Sequence, residues 1–180
     1  MNKYIFPLLA LLSTQAFAGS TGLTEPDVKW DKKTITVCFG DSTHVEGTRL
    51  IRAGSRDLTP QDILTFSEDH KKLIQNIIQN EYRAQETGIE FAGFENCANS
   101  LEQYDAVVFR TDREKFTYGR AAVGENGELR FSERGTSLVK IGNKKRAYVM
   151  LNTVAEPRLK ITRNEFLEMT ALHEFGHLAG

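Results

Sequence analysis

Thr170-Ala171-Leu172-His173-Glu174-Phe175-Gly176-His177-Leu178-Ala179-Gly180 holds two histidines four positions apart, with a glutamate directly after the first. On an α-helix, four residues return to nearly the same face after about 6 Å of rise, so His173 and His177 can close on one ion. Glu174 stands about 100° round the helix from His173, close to such an ion without binding it. A general base for an ion-activated water needs that position, which is the mechanical content of a His-Glu-x-x-His pattern. The bland alternative is a helical histidine pair that caps a core or faces solvent.

The residues upstream supply the helix. Thr162 and Glu165 form a Thr-x-x-Glu capping box that opens it. On a wheel, Leu167, Ala171, Phe175 and Leu178 make one apolar face, while Phe166, Met169 and Thr170 surround the histidines on another. A helix apolar round most of its girth is expected to be buried, where an unliganded His-Glu-His cluster is costly. Two imidazoles beside a carboxylate suit zinc, so His173 and His177 are the expected metal ligands and Glu174 the expected catalytic base.

Further upstream, Ala147-Tyr148-Val149-Met150-Leu151 and Val107-Val108-Phe109 are apolar without alternation, as in interior strands covered on both faces. Thr34-Ile35-Thr36-Val37-Cys38-Phe39 alternates with period two and predicts a half-buried first strand with Ile35, Val37 and Phe39 on its inner face. Ser67 is an expected N-cap, followed by Glu68 and Asp69. Leu73, Ile74, Ile77, Ile78 and Tyr82 then recur at helical spacing, predicting a helix that runs to Thr87 and ends at Gly88. Ile89 to Phe94 and Ala106 to Arg110 read as strands. Strand, long helix and strand in that order suit a right-handed crossover in a mainly parallel sheet.

Gly40 to Thr65 has no sustained period and reads as a long connection with a short helical turn at Pro60 to Leu64. Between Thr117 and Gly142, Gly124-Glu125-Asn126-Gly127 has turn chemistry. Leu129 and Phe131 alternate with polar neighbours, as in a short exposed strand or hairpin. Such an edge can hold an extended peptide, or simply be a sheet edge blunted by charge.

At 180 residues the chain suits one domain with a real core. Its 23 basic and 24 acidic residues balance, which argues against nucleic acid as a partner. Residues 1–18 read as a signal peptide: Lys3, then the apolar run Ile5 to Leu12, then Ala16-Phe17-Ala18 as a small-x-small cleavage site. The run is too short for a membrane anchor. Cleavage near Ala18 predicts a secreted or periplasmic chain from Gly19. In an oxidising compartment two cysteines have one possible pairing, so a Cys38–Cys97 disulfide is expected, with two free buried thiols as the alternative. His44, in a turn-rich segment, and His70, early in the first long helix, have no partner at ligand spacing and are expected to be ordinary solvated histidines.

His173-Glu174-Phe175-Gly176-His177-Leu178-Ala179-Gly180 resembles the signature of the metzincin clan of zinc metallopeptidases, in particular bacterial astacin-like or matrixin-like secreted proteases. Weaker likeness lies in Val37-Cys38-Phe39, in Phe91-Ala92-Gly93-Phe94-Glu95-Asn96-Cys97 and in Gly119-Arg120-Ala121-Ala122-Val123-Gly124. The resemblance implies an α+β, zincin-like fold: a twisted, mostly parallel five-stranded sheet with a backing helix and a C-terminal active-site helix. Residues 19–180 would then be the N-terminal subdomain of a catalytic domain. The implied function is a secreted endopeptidase that hydrolyses peptide bonds through a zinc-activated water, with Zn2+ on His173 and His177 and Glu174 as base. Its implied partners are protein or peptide substrates, with the chain a monomer.

The longer signature places a third histidine three residues after the glycine at 180, and the clan's methionine turn follows that; Met150 and Met169 precede the motif and cannot supply it. The chain as given is therefore expected to be an incomplete domain with impaired or no activity. A longer protease, a degenerate gene, a third ligand lent by a residue such as His44, or a partner chain would each account for the departure. A non-catalytic exported binding or inhibitory module is the alternative from another class, and an ordinary exported domain with an accidental motif is a third.

Overall fold

The computed structural model describes residues 30, 32–45, 50–52, 59–83, 88–112, 118–123, 129–132, 138–141, 144–154 and 160–179. Residues 1–18, expected to be a signal peptide, and residues 124–127, expected to be a turn, lie outside them.

The spine of the sheet is its apolar runs. Thr34–Phe39 forms β1, Glu90–Asn96 β3, Ala106–Thr111 β4 and Lys144–Asn152 β8. These four lie parallel in the spatial order β3-β1-β4-β8. Beyond β8, Tyr118–Val123 (β5) pairs antiparallel with it, and Leu129–Ser132 (β6) pairs antiparallel with β5. The hairpin expected around Leu129 and Phe131 is therefore present. It is not the outermost pair, because Leu50–Arg52 forms a short β2 parallel to β6. Leu138–Ile141 (β7) pairs antiparallel with the first part of β8.

Two helices complete an α+β architecture, α1 at Glu68–Glu81 and α2 at Arg163–Ala179. The period-two rule sorts the strand residues cleanly between two cores. Ile35, Val37 and Phe39 of β1, Ala106 and Val108 of β4, and Ala147, Val149 and Leu151 of β8 face the helices. There they meet Ile74 and Ile78 of α1 and Leu167, Ala171, Phe175 and Leu178 of α2. The intervening residues Cys38, Val107, Phe109, Tyr148 and Met150 form a second core on the other face, with Val45, Ile63 and Tyr104. The first strand is thus more than half buried, since its Cys38 is also enclosed. Single-turn 3-10 segments at Ser42–Val45 and Pro60–Asp62 supply the cover, the latter where Pro60 predicted a turn.

Cys38 and Cys97 form the expected disulfide, tying the end of β1 to the residue just after β3. Asp105 fastens the opposite end of the spine. Buried at 1 % exposure, its carboxylate accepts from the Thr36 amide at 2.8 Å, the Thr36 hydroxyl at 2.7 Å and Lys32 Nζ at 2.5 Å. Burial acts to raise its pKa, but the donors from Lys32 and Thr36 outweigh that and hold it below the ordinary 3.8.

Helix α1 starts as predicted, with the Ser67 hydroxyl accepting from the His70 amide at 3.3 Å. It ends at Glu81 rather than at Thr87. Tyr82 is the C-cap, its amide still donating to the Ile78 carbonyl while its side chain reaches α2. Residues 84–87 lie outside the described residues, and Gly88, with φ 77°, stands seven positions past the end of the helix it was expected to close.

Candidate functional site

The motif helix α2 begins at its predicted capping box. The Thr162 amide donates to Glu165 Oε2 at 2.7 Å, and the Glu165 amide donates to Thr162 Oγ1 at 3.2 Å. Leu167, Ala171, Phe175 and Leu178 are each no more than 1 % exposed, so the predicted apolar face is the docked one.

A backbone irregularity in β3 builds the socket for that face. The β1–β3 register shifts between Val37 and Cys38, opposite Gly93 and Glu95. Gly93 has φ 93° and Phe94 has φ 65°, a conformation that bulky side chains adopt only under constraint. Regular alternation would send Phe91 and Phe94 to opposite faces, whereas the bulge turns both toward the helices. Phe175 then packs edge-on to Phe91 at 4.9 Å and stacks with Phe94 at 6.0 Å. A β-bulge thus holds the residue between Glu174 and Gly176.

Two long-range donors fix the rest of the helix. The Tyr82 hydroxyl donates to the Leu172 carbonyl at 2.8 Å, and Trp30 Nε1 donates to the Leu178 carbonyl at 2.7 Å. Both carbonyls flank the histidine pair in sequence. Neither donor was foreseen; the sequence does show Gly93 inside a strand pattern, the ordinary sign of a bulge.

The other side of α2 is open, which corrects the expectation of burial round most of its girth. Met169 is 44 % exposed, and His173, one turn on, is also exposed. His177 follows at the same spacing on the helix; its side chain lies outside the described residues. Desolvation of the covered part of the His173 ring lowers its pKa from the ordinary 6.5, favouring the neutral imidazole that ligates metals. Glu174 is 1 % exposed, beside a histidine that meets solvent. The neighbouring Thr170 hydroxyl is satisfied within the helix, donating to the Phe166 and Leu167 carbonyls at 2.9 and 3.1 Å.

The remaining histidines stand apart. His44 sits on the turn covering the second core, across the sheet from α2, with Nδ1 2.9 Å from Asp41 Oδ1 and Nε2 3.2 Å from the Ala98 carbonyl. With both nitrogens engaged there, it is no third ligand for α2. His70 is half-buried rather than solvated: its Nδ1 is enclosed without a hydrogen-bond partner, and burial, then Arg110, lower its pKa. Both cysteines are in the disulfide. Among the described residues no cluster of three or more His, Cys, Asp or Glu could hold a metal.

No protein-family model, curated protein or solved structure matches the chain. The chemistry of the helix has to speak for itself. Two imidazoles one turn apart suit zinc, a borderline-soft ion that takes nitrogen ligands, and a catalytic zinc has three protein ligands with one open position. The pair on α2 fits two of those three. No helix among the described residues is long and apolar enough to cross a membrane.

Proposed function

We propose that this chain carries the sheet and motif helix of an exported, zinc-dependent endopeptidase of metzincin type. One observation carries the reading: α2 keeps Glu174 almost wholly out of water next to an exposed His173 that stands one turn before His177. A carboxylate shielded from water beside a solvent-facing imidazole is the arrangement that a metal-bound water with an adjacent base requires.

His173 and His177 would hold the ion. Zinc, when bound, supplies Lewis-acid polarisation of the substrate carbonyl. Glu174 takes the proton from the attacking water on its carboxylate and passes it to the leaving amine. Two features of the fold support the family reading. The sheet has eight strands rather than the expected five, and it is the parallel run β3-β1-β4-β8 within it that supports the reading. Helix α1 packs beside α2 on the same face of the sheet, which supports reading it as a backing helix. The disulfide supports export, since such bonds persist in oxidising compartments. Protein or peptide chains are the substrate class.

The test is zinc stoichiometry and peptide hydrolysis for the chain, for His173→Ala and for Glu174→Ala. The expected pattern is one zinc per chain, weakened at least tenfold by His173→Ala. Glu174→Ala should retain the zinc while losing hydrolysis by about a hundredfold or more. Hydrolysis unchanged by Glu174→Ala would sink the mechanism. Zinc-dependent hydrolysis by the unsubstituted chain would exclude a non-catalytic exported module.

A further inference from the structure

The Tyr82 contact with α2 lies within the helical turn that the two histidines bracket. The Leu172 carbonyl is the one that the Gly176 amide reaches in a regular helix, and it immediately precedes His173. The Tyr82 hydroxyl approaches this carbonyl from α1 at 2.8 Å. A Cβ placed on Gly176 would stand 3.0 Å from the same hydroxyl oxygen. A methyl group at Gly176 would therefore press on the phenol, which would have to give by a few tenths of an ångström. Burial, with Glu81 adding to it, pushes the Tyr82 pKa up to about 12, so the group is a proton donor at any physiological pH. Its ring is held in turn by an edge contact with Phe91 at 5.6 Å, and Phe91 packs on Phe175.

We infer that Tyr82 is a positioning residue for the histidine pair, its hydroxyl passing close to Gly176 to fix the turn of α2 that carries His173 and His177. Two ligands on one helix bind best when that turn is already fixed, because an ordering cost met on binding subtracts from affinity. This inference rests on the zinc reading above.

The experiment measures zinc affinity against a competing chromophoric chelator, and thermal unfolding of the metal-free chain. Both are run for wild type, Tyr82→Phe, Gly176→Ala and the double variant. Cobalt(II) absorption serves as a second probe of ligand geometry. Tyr82→Phe keeps the ring and removes the hydroxyl, and is expected to weaken zinc roughly three- to tenfold and to alter the cobalt band. Gly176→Ala is expected to weaken zinc at least as much, and to cost clearly less when Tyr82→Phe has already removed the oxygen that the new methyl meets. Wild-type zinc affinity in Tyr82→Phe, even with a lowered melting temperature, overturns the inference and leaves the zinc reading standing. The same holds if the two substitutions simply add. A wild-type chain that binds no zinc overturns the zinc reading and the inference with it.

Discussion

Gly93→Ala puts a methyl group into the β3 bulge that seats the motif helix. The new Cβ would lie 2.7 Å from the Val37 carbonyl oxygen, several tenths of an ångström inside contact. That oxygen belongs to the backbone of a central strand and cannot swing aside. The site also demands φ 93°, which costs a residue with a Cβ about 1–2 kcal/mol before any collision. Relief of the collision by separating β1 from β3 or by reforming the bulge adds about 1–2 kcal/mol, for a total of about 2–4 kcal/mol. Gly88→Ala provides the matched control, with φ 77° and nothing within 4 Å of the new atom. It carries the conformational cost alone. In urea, with a slope of about 2 kcal/mol/M, Gly93→Ala should lower the unfolding midpoint by about 1–2 M, and Gly88→Ala by about half as much. Equal midpoints for the two variants would refute the reasoning, because they would mean that the contact with Val37 has no energetic weight and that the bulge is free to relax.

Two further outcomes follow from the ends of the spine. Asp105→Asn should cost about 2–3 kcal/mol at neutral pH by depriving the Thr36 amide and hydroxyl and Lys32 of their carboxylate. Because the folded-state pKa of Asp105 is depressed, its contribution is complete above the ordinary 3.8 and fades as pH falls through the lower folded value. The gap between wild type and variant should therefore narrow between pH 5 and the acid limit of folding, and a gap constant with pH would contradict the assignment. Reduction of Cys38–Cys97, whose sequence separation is 59, releases a loop whose closure entropy amounts to about 4 kcal/mol. Thermal melts with and without reductant should differ by ten degrees or more, and coincident melts would contradict that account.

The parts of the fold legible from the chain are those decided by neighbours in sequence. Thr162 and Glu165 cap α2 reciprocally within four residues, and Ser67 caps α1 in the same local way. Val107 to Phe109 and Ala147 to Leu151 are apolar at every position because both sheet faces are covered, and two cysteines leave one pairing. What could not be read depends on distant partners. The contact between α1 and α2 runs through a hydroxyl bond from Tyr82 to a carbonyl ninety positions away. Leu50–Arg52 is a strand only because β6 lies alongside it. The bulge turns Phe94 against its strand period to meet Phe175, a requirement that exists only once α2 has docked. The site divides in the same manner. The histidine spacing and Glu174 are local, while the exposure of Met169 and His173 follows from which side of α2 the sheet and α1 occupy.

Trp30 is the chain's one tryptophan, and its indole nitrogen rests on the carbonyl of Leu178, the residue that follows His177. An indole so placed is a built-in fluorophore for the far end of α2. Its emission maximum and its quenching by iodide will respond when that helix end lifts or tightens. The chain therefore carries its own optical gauge of the histidine turn, readable in dilute solution without a label.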